Sequence, residues 1–201
     1  MIRNIVLCGV GGQGTVLASK LLAAAAMEKG YKVMSAETIG MAQRGGNVFS
    51  NIRISDGEDI FAPMIGHGEA DLILGFEPGE TVRMLPFLKK GGYVITNNRA
   101  IKPTTATLTG STYGAEPMLA YLREVLDPEH LLVVDGDREA GKLGNPRVLN
   151  VVLLGAAVRT GATGLTEENV LSVMDKVVKE RFVELNKKAF MLTGEEETQE
   201  A

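Results

Sequence analysis

The chain has 201 residues, of which 45% are hydrophobic, and its 25 acidic and 21 basic side chains give a formal net charge of −4. This length and hydrophobic content are enough to bury one core, and no block of Lys and Arg is present that could follow a phosphate backbone. The composition therefore predicts a single domain over residues 1–192, an acidic and disordered tail over residues 193–201, and no nucleic-acid partner.

The N-terminal apolar run stops at Gly9. It is too short to span a bilayer and has no cleavage site of small residues, so we expect a cytoplasmic protein with no membrane partner. Cys8 is the single cysteine. One thiol can form no internal disulfide and cannot hold an iron–sulfur cluster or a zinc ribbon, and a small buried hydrophobe is the interpretation we favour.

The predicted elements alternate between strands and helices. Strands are predicted at residues 2–8, 31–36, 47–55, 71–76, 93–96 and 131–135, and helices at residues 15–29, 80–88, 115–125, 145–160 and 167–190. The first strand, helix and second strand read as a β-α-β unit, for which a parallel sheet and a right-handed crossover are the default. Residues 47–55 alternate like a half-exposed strand, and a turn at residues 56–57 with a short return strand at 59–61 indicates a mixed sheet. The pattern predicts a three-layer, Rossmann-like α/β domain with a mostly parallel, partly mixed sheet and a helical C-terminal end.

The predicted last helix, residues 167–190, has a clear start. Thr166 suits its N-cap, and Leu165 and Val170 have the spacing of a hydrophobic staple. An apolar stripe at helical spacing follows, formed by Val170, Met174, Val177, Val178, Phe182, Leu185 and Ala189. Core packing is the favoured interpretation of this stripe, with contact to a partner subunit as the alternative.

The segment Gly9-Val-Gly-Gly-Gln-Gly14 matches the G-x-G-x-x-G pattern between a predicted strand and a predicted helix. Glycines there permit a tight turn and a close ligand, and the free N–H groups of the helix start attract an anion. Glu37 stands about where a dinucleotide-binding domain has its ribose-binding acid. The residues alone leave open a dinucleotide, another anion, or plain strand–helix packing. A P-loop is excluded because Thr15-Val16 follows Gly14 in place of Lys-Ser/Thr.

A second glycine-containing loop runs from Glu37 to Gly46 as Glu-Thr-Ile-Gly-Met-Ala-Gln-Arg-Gly-Gly. It is long for a connector and has no regular periodicity, which is typical of functional loops. Arg44 beside two glycines could be presented from a tight turn to a ligand phosphate or to a carboxylate across an interface. A solvated side chain is the alternative.

The remaining polar residues favour neither a metal site nor a hydrolytic site. His67 and His130 are isolated, and the close acids at residues 56–59 and 135–137 lack calcium-loop spacing and are explained by turns. No G-x-S-x-G segment is present. We therefore expect no metal in this chain, and its catalytic residues, if it has any, are unknown.

Several segments together resemble the gamma-type subunit of 2-oxoacid:ferredoxin oxidoreductases, and within that family the beta subunit of indolepyruvate oxidoreductases. They are Gly9–Gly14, Glu37–Gly46 with Val48–Ile54, Ala70–Pro78, Gly91–Asn97 and Asn145–Ala157. The Gly-Gly-Gln-Gly and Gln-Arg-Gly-Gly segments are specific in combination. They favour this family over a stand-alone NAD-binding oxidoreductase or a non-catalytic adaptor.

The resemblance implies a small subunit that is inactive alone. Its larger partner would carry thiamine diphosphate, magnesium and 4Fe–4S clusters, decarboxylate an aryl 2-oxoacid such as indolepyruvate or phenylpyruvate, and reduce ferredoxin, while coenzyme A takes the acyl group. This chain would hold no cofactor of its own. Pyruvate, 2-ketoisovalerate and 2-oxoglutarate are alternative substrates, because related gamma subunits serve enzymes for them.

The two glycine segments are expected to border the active site or the coenzyme A entry at the subunit interface. The candidate ligand- or interface-binding residues are Gly9, Gly11, Gly12, Gln13, Gly14, Glu37, Gln43, Arg44, Gly45 and Gly46. Arg44 would supply charge to an anionic substrate or to the partner. The resemblance assigns proton transfer to no residue here.

Overall fold

The computed structural model describes residues 1–39, 46–102 and 112–192. Its strands are β1 (Ile2–Val10), β2 (Lys32–Ile39), β3 (Asn47–Ser55), β4 (Ala70–Gly75), β5 (Leu88–Asn97) and β6 (Leu131–Val134). Its helices are α1 (Thr15–Glu28), α2 (Pro78–Met84), α3 (Ala115–Val125), α4 (Gly136–Lys142), α5 (Leu149–Arg159), α6 (Glu167–Leu171), α7 (Met174–Val177) and α8 (Val183–Phe190). Short 3-10 turns lie at Leu85–Phe87, Pro128–His130, Pro146–Val148 and Glu180–Phe182.

The six strands form one sheet in the order β2-β3-β1-β4-β5-β6. β1, β4, β5 and β6 are parallel, whereas β3 is antiparallel to both of its neighbours, β1 and β2. Helices α1, α5 and α8 cover one face, and α2 and α3 cover the other. The predicted three-layer α/β fold with a mostly parallel, partly mixed sheet is confirmed.

β1 and β2 run parallel to each other in the sheet, as the predicted β-α-β unit requires, but β3 lies between them. β3 pairs with β1 from Ile2↔Ser55 to Val10↔Asn47, and with β2 from Lys32↔Ser55 to Ile39↔Val48. The burial of side chains on β3 and β2 differs as their positions in the sheet require. Val48, Ile52 and Ile54 of β3 are buried, as suits an inner strand, whereas no described side chain of β2 is fully buried, as suits an edge.

Alternation along β1 divides the core between the two faces of the sheet. Ile5 and Leu7 pack under α1 and α5 in the larger cluster, whereas Val6 and Cys8 face the α2 side. Cys8 is completely buried, so the prediction of a buried hydrophobe is confirmed. Burial raises the pKa of the Cys8 thiol well above its usual range.

The predicted return strand at residues 59–61 is wrong, because this segment has no regular structure. β3 already has hydrogen-bonded neighbours on both sides, so no edge is free to accept another strand. The segment instead crosses the α2 face of the sheet. Arg53 donates to the carbonyl of Ala62 at 3.0 Å, Ile65 joins the cluster around Cys8, and Phe61 is left 91% exposed.

The predicted single helix over residues 167–190 is also wrong. Thr166 does cap α6 through a reciprocal capping box with Asn169, but the backbone is extended at Val178 and Lys179. Two consecutive β-branched valines, 177 and 178, weaken the helix at this point. The resulting turn folds α8 onto α5, where Gly155 meets the carbonyl of Phe190.

Most of the apolar stripe packs in the core, as predicted. Its buried members are Val170, Met174, Val178 and Ala189, its partly buried members are Val177 and Leu185, and Phe182 is 37% exposed. Helix α4, which the sequence pattern did not predict, is capped by Asp135, whose side chain accepts from the amide of Arg138 at 3.0 Å. The predicted tail at residues 193–201 lies outside the described residues.

Candidate functional site

A cleft of about 690 Å³ opens where the carboxyl ends of the parallel strands meet. Ligands bind in this position in open α/β sheets, and the volume is in the range of small-molecule sites. The lining residues are Gly12, Gln13, Gly14, Asn97, Arg99, Ala100, Ile101, Lys102, Asp137, Pro146, Arg147 and Leu149. The glycine turn is thus one wall of the cleft.

The turn requires glycine at two positions for different reasons. Gly12 and Gly14 both have left-handed backbones, with φ of 107° and 84°. A Cβ on Gly14 would stand 2.5 Å from Nδ2 of Asn150, whereas a Cβ on Gly12 would meet no atom within 4 Å. Gly14 is therefore needed for packing against α5, and Gly12 leaves open space beside the cleft.

Gln13 connects the ends of two strands. Its Oε1 accepts from the amide of Val10 at 2.7 Å, and its Nε2 donates to the carbonyl of Phe76 at 2.7 Å. Gly9 makes room for this side chain, because a Cβ there would stand 2.8 Å from Oε1 of Gln13. These two residues build the turn, and any contact that they make with a ligand stays a prediction.

The structure joins the two glycine segments that the sequence singles out. The amide of Gly11 donates to the carbonyl of Gly46 at 2.8 Å, so the end of the second loop lies against the turn. Gln43, Arg44 and Gly45, which were also predicted to bind a ligand or a partner, lie outside the described residues.

Glu37 is exposed on β2 and lies opposite Ser50 of β3. Because β3 separates β2 from β1, Glu37 is two strand spacings, about 10 Å, from the strand that leads into the glycine turn. In a dinucleotide-binding fold the ribose-binding acid ends the strand next to the glycine turn. The placement of Glu37 gives no support to the dinucleotide alternative.

Three cations line the cleft, and the sequence pattern had singled out none of them. Arg99, Lys102 and Arg147 all have exposed side chains, and Asp137 is the one carboxylate in the lining. The sequence did offer a way to find such residues, because polar residues that follow parallel strands lie together at the same edge of the sheet. Positive charge prevails in the cleft, which favours an anionic ligand.

Asp137 orients one of these cations. Its Oδ1 accepts from Arg99 at 2.9 Å, and its Oδ2 accepts from Nδ2 of Asn97 at 3.2 Å. The Oδ1 of the buried Asn97 in turn accepts from the amide of Gly136 at 3.0 Å. The ends of β5 and α4 are thereby joined at the wall that presents Arg99.

Within the described ranges, no three His, Cys, Asp or Glu side chains come together as a metal site requires. No described helix is long and apolar enough to cross a membrane. Cys8, the only cysteine, is completely buried. A lone buried thiol does not fit the ligand set of an iron–sulfur cluster.

Comparison with known proteins decides the family. Residues 4–196 match the pyruvate ferredoxin/flavodoxin oxidoreductase family. The chain belongs to this family. It is 41% identical to indolepyruvate oxidoreductase subunit IorB of Pyrococcus horikoshii, over 94% of this chain and 93% of that protein. It is 31% identical to the pyruvate/ketoisovalerate oxidoreductases common subunit gamma of Thermococcus kodakarensis, over 87% of this chain and 83% of that protein.

Solved structures of the family share the fold. The gamma subunit of a keto/oxoacid ferredoxin oxidoreductase from Geobacter sulfurreducens aligns with a TM-score of 0.67 and 25% identity, covering 94% of this chain and 93% of that one. A 2-oxoglutarate:ferredoxin oxidoreductase from Magnetococcus marinus aligns with the same TM-score at 17% identity, over 98% of this chain and 32% of that one. The predicted resemblance is confirmed, and the chain is a small, gamma-type subunit of the 2-oxoacid:ferredoxin oxidoreductase family.

Proposed function

We propose that the chain is the small subunit of an enzyme that oxidises aryl 2-oxoacids, with indolepyruvate and phenylpyruvate as substrates. The reaction converts the 2-oxoacid anion and coenzyme A into an acyl-CoA, CO₂ and a proton, and the two electrons released reduce two ferredoxins. The higher identity to the indolepyruvate subunit, 41% against 31% for the pyruvate/ketoisovalerate subunit, supports the aryl substrate. Pyruvate, 2-ketoisovalerate and 2-oxoglutarate are the alternatives.

The partner would hold the groups that break and form bonds. Thiamine diphosphate supplies the carbanion chemistry of decarboxylation, and 4Fe–4S clusters transfer the electrons to ferredoxin. The buried Cys8 offers no ligand set for a cluster, and no described acidic cluster suits magnesium. We therefore assign all of these cofactors to the larger subunit, and we expect the isolated small subunit to be inactive.

The cationic cleft is the observation on which the role of this chain rests. Arg99, Lys102 and Arg147 stand at the carboxyl edge of the sheet, beside the glycine turn at the start of α1. Such an arrangement attracts the phosphates of coenzyme A through charge and through backbone N–H groups. In this proposal the chain binds and orients the phosphates of coenzyme A at the subunit interface, and proton transfer is assigned to none of its residues.

The proposal extends to the second glycine loop. The bond between Gly11 and Gly46 places the end of that loop against the turn. We therefore propose that Gln43, Arg44 and Gly45 border the same entry or the partner. Arg44→Ala should weaken the assembled enzyme, and unchanged assembly and turnover would make that arginine a solvated side chain.

A substrate panel tests the proposed activity. The chain would be co-expressed with its larger subunit, purified without oxygen, and assayed for coenzyme A dependent ferredoxin reduction with five 2-oxoacids. Indolepyruvate and phenylpyruvate should give the highest kcat/KM. A preference for pyruvate, 2-ketoisovalerate or 2-oxoglutarate would overturn the aryl assignment and keep the family, whereas turnover without coenzyme A would overturn the role of the cleft.

A further inference from the structure

Glu77 is a completely buried acid close to the cleft, and the cleft itself does not include it. It follows β4 and is the N-cap of α2, where its Oε2 accepts from the amide of Glu80 at 2.8 Å. Its other oxygen, Oε1, accepts from the amide of Ile101 at 3.3 Å and from the hydroxyl of Tyr113 at 3.0 Å. One carboxylate thus accepts hydrogen bonds from three parts of the chain: the start of α2, Ile101 and Tyr113.

One of these parts belongs to the cationic wall. Ile101 lines the cleft and stands next to Lys102 in the chain, and Arg99 is two residues before it. Tyr113 lies just before α3. The backbone that presents Arg99 and Lys102 is therefore fixed at Ile101 to a group that has no access to solvent.

Gly79 is a second observation that supports the contact between Tyr113 and Glu77. A Cβ on Gly79 would stand 2.2 Å from the hydroxyl of Tyr113 and 3.0 Å from Oε2 of Glu77. Glycine is a poor helix former, yet it occupies the first turn of α2. Its presence there lets the hydroxyl of Tyr113 reach the carboxylate.

The hydroxyl is held in its donating form. Burial, with the adjacent charge of Glu77, raises the pKa of Tyr113 well above its usual range. A phenol is protonated at neutral pH even without this shift, so the hydroxyl donates, and its hydrogen bond to a carboxylate is of the charge-assisted, stronger kind.

We propose that Glu77 and Tyr113 are positioning residues, which act through Ile101 to hold Arg99 and Lys102 where these cations meet the phosphates of coenzyme A. The inference rests on the proposed function, because that function makes coenzyme A the ligand of the cleft. Neither positioning residue touches the ligand, and their effect passes through the cationic wall.

Tyr113→Phe is the sharpest probe, because it removes one oxygen and keeps the ring. In the anaerobic complex it should raise the KM for coenzyme A about tenfold, the size expected from losing a hydrogen bond to a charged group, and should leave the KM for indolepyruvate and kcat unchanged. Gly79→Ala should have the same effect by displacing the hydroxyl. Tyr121→Phe is the matched control, because Tyr121 is 46% exposed on α3.

A mutant cycle separates positioning from a general loss of stability. If Tyr113 acts through Arg99 and Lys102, then adding Tyr113→Phe to the Arg99→Ala/Lys102→Ala variant should not change its KM for coenzyme A further. Effects on the KM that simply multiply would overturn the inference. So would a Tyr113→Phe enzyme that matches the wild type while Lys102→Ala raises the KM.

Hydrogen exchange tests the contact without any assay. Tyr113→Phe and Glu77→Gln should speed exchange at the amide of Ile101, while the amides of β1 keep their protection. Unchanged exchange at Ile101 would overturn the inference whatever the enzyme does. Faster exchange together with a wild-type KM for coenzyme A in both Lys102→Ala and Arg99→Ala would instead show that the proposed ligand of the cleft is wrong, and the inference would fall with it.

Discussion

The side-chain amide of Asn150 on α5 donates to the carbonyl oxygen of Gly14 over 3.1 Å, and so joins residues that are 136 positions apart in the chain. Asn150 is 1% exposed and fills the space beside Gly14. The shape of the glycine turn is therefore determined partly by a helix near the other end of the chain. This contact supports the glycine turn, which is one wall of the cleft.

Gly14→Ala should be clearly more destabilising than Gly12→Ala. Both substitutions force a left-handed backbone on alanine, but only the first drives a methyl group against Asn150, at 2.5 Å from its Nδ2. Overpacking of this kind costs about 1–3 kcal/mol beyond the shared backbone strain. Urea unfolding of both variants measures the difference directly, and equal losses would show that the contact with Asn150 relaxes without cost.

Cys8 should resist thiol reagents in the folded protein. Its side chain is completely buried, and burial raises the pKa of its thiol, so almost no thiolate is exposed to react. Ellman's reagent should detect no thiol in the native chain and one thiol per chain in guanidinium chloride, because the sequence contains one cysteine. Fast reaction of the native chain would contradict the placement of Cys8 under α2.

Glu80→Gln should stabilise the protein at neutral pH. Burial, with the charge of Glu77, raises the pKa of Glu80 above its ordinary value of 4.5, although Arg83 opposes this. A raised folded pKa favours the folded state below pH 4.5, and that advantage is lost as the pH rises through the folded value. Glutamine has no charge to bury, so the variant should gain stability over the wild type at pH 7.

The gain from Glu80→Gln should shrink as the pH falls below 4.5, where the wild-type carboxyl is protonated in both states. Thermal unfolding at pH 4 and pH 7 measures this. The matched control is Glu124→Gln, at an exposed position on α3. A gain that is the same at both pH values would mean that the charge of Glu80 is not its cause.

The cations of the cleft should determine the affinity for coenzyme A. Lys102→Ala and Arg147→Ala should each raise its KM about three- to thirtyfold, because each removes a charged hydrogen-bonding partner of a phosphate. Lys90→Ala, at the opposite end of β5, removes the same charge far from the cleft and should leave the KM unchanged. A KM that responds equally to all three variants would indicate a general charge effect.

The layer architecture could be predicted from the sequence because it depends on local signals. Continuous apolar strands, the glycine turn and the cap at Thr166 all act within a few residues of each other. The position of β3 between β1 and β2 could not be predicted in this way, because it depends on pairings between residues as distant as Ile2 and Ser55. Single-residue patterns do not encode such a choice of neighbours.

The same contrast between local signals and contacts of distant residues applies to the candidate site. Gly9–Gly14 could be recognised because its motif is contiguous, and the structure does place three of its residues in the cleft. Arg99 and Arg147 come from distant segments and are unremarkable in the sequence, so only the fold shows that they share one cleft. Glu77 resembles an ordinary helix cap until its bond to Tyr113 is seen.

The most direct test of the central claim is reconstitution of the enzyme from separate subunits. The larger subunit, purified without oxygen and loaded with its cofactors, would be assayed for coenzyme A dependent ferredoxin reduction by indolepyruvate, alone and with this chain added. We predict little turnover by either subunit alone and full turnover at a fixed ratio of the two. Full turnover by the larger subunit alone, with no change when this chain is added, would contradict the claim that the chain completes the enzyme.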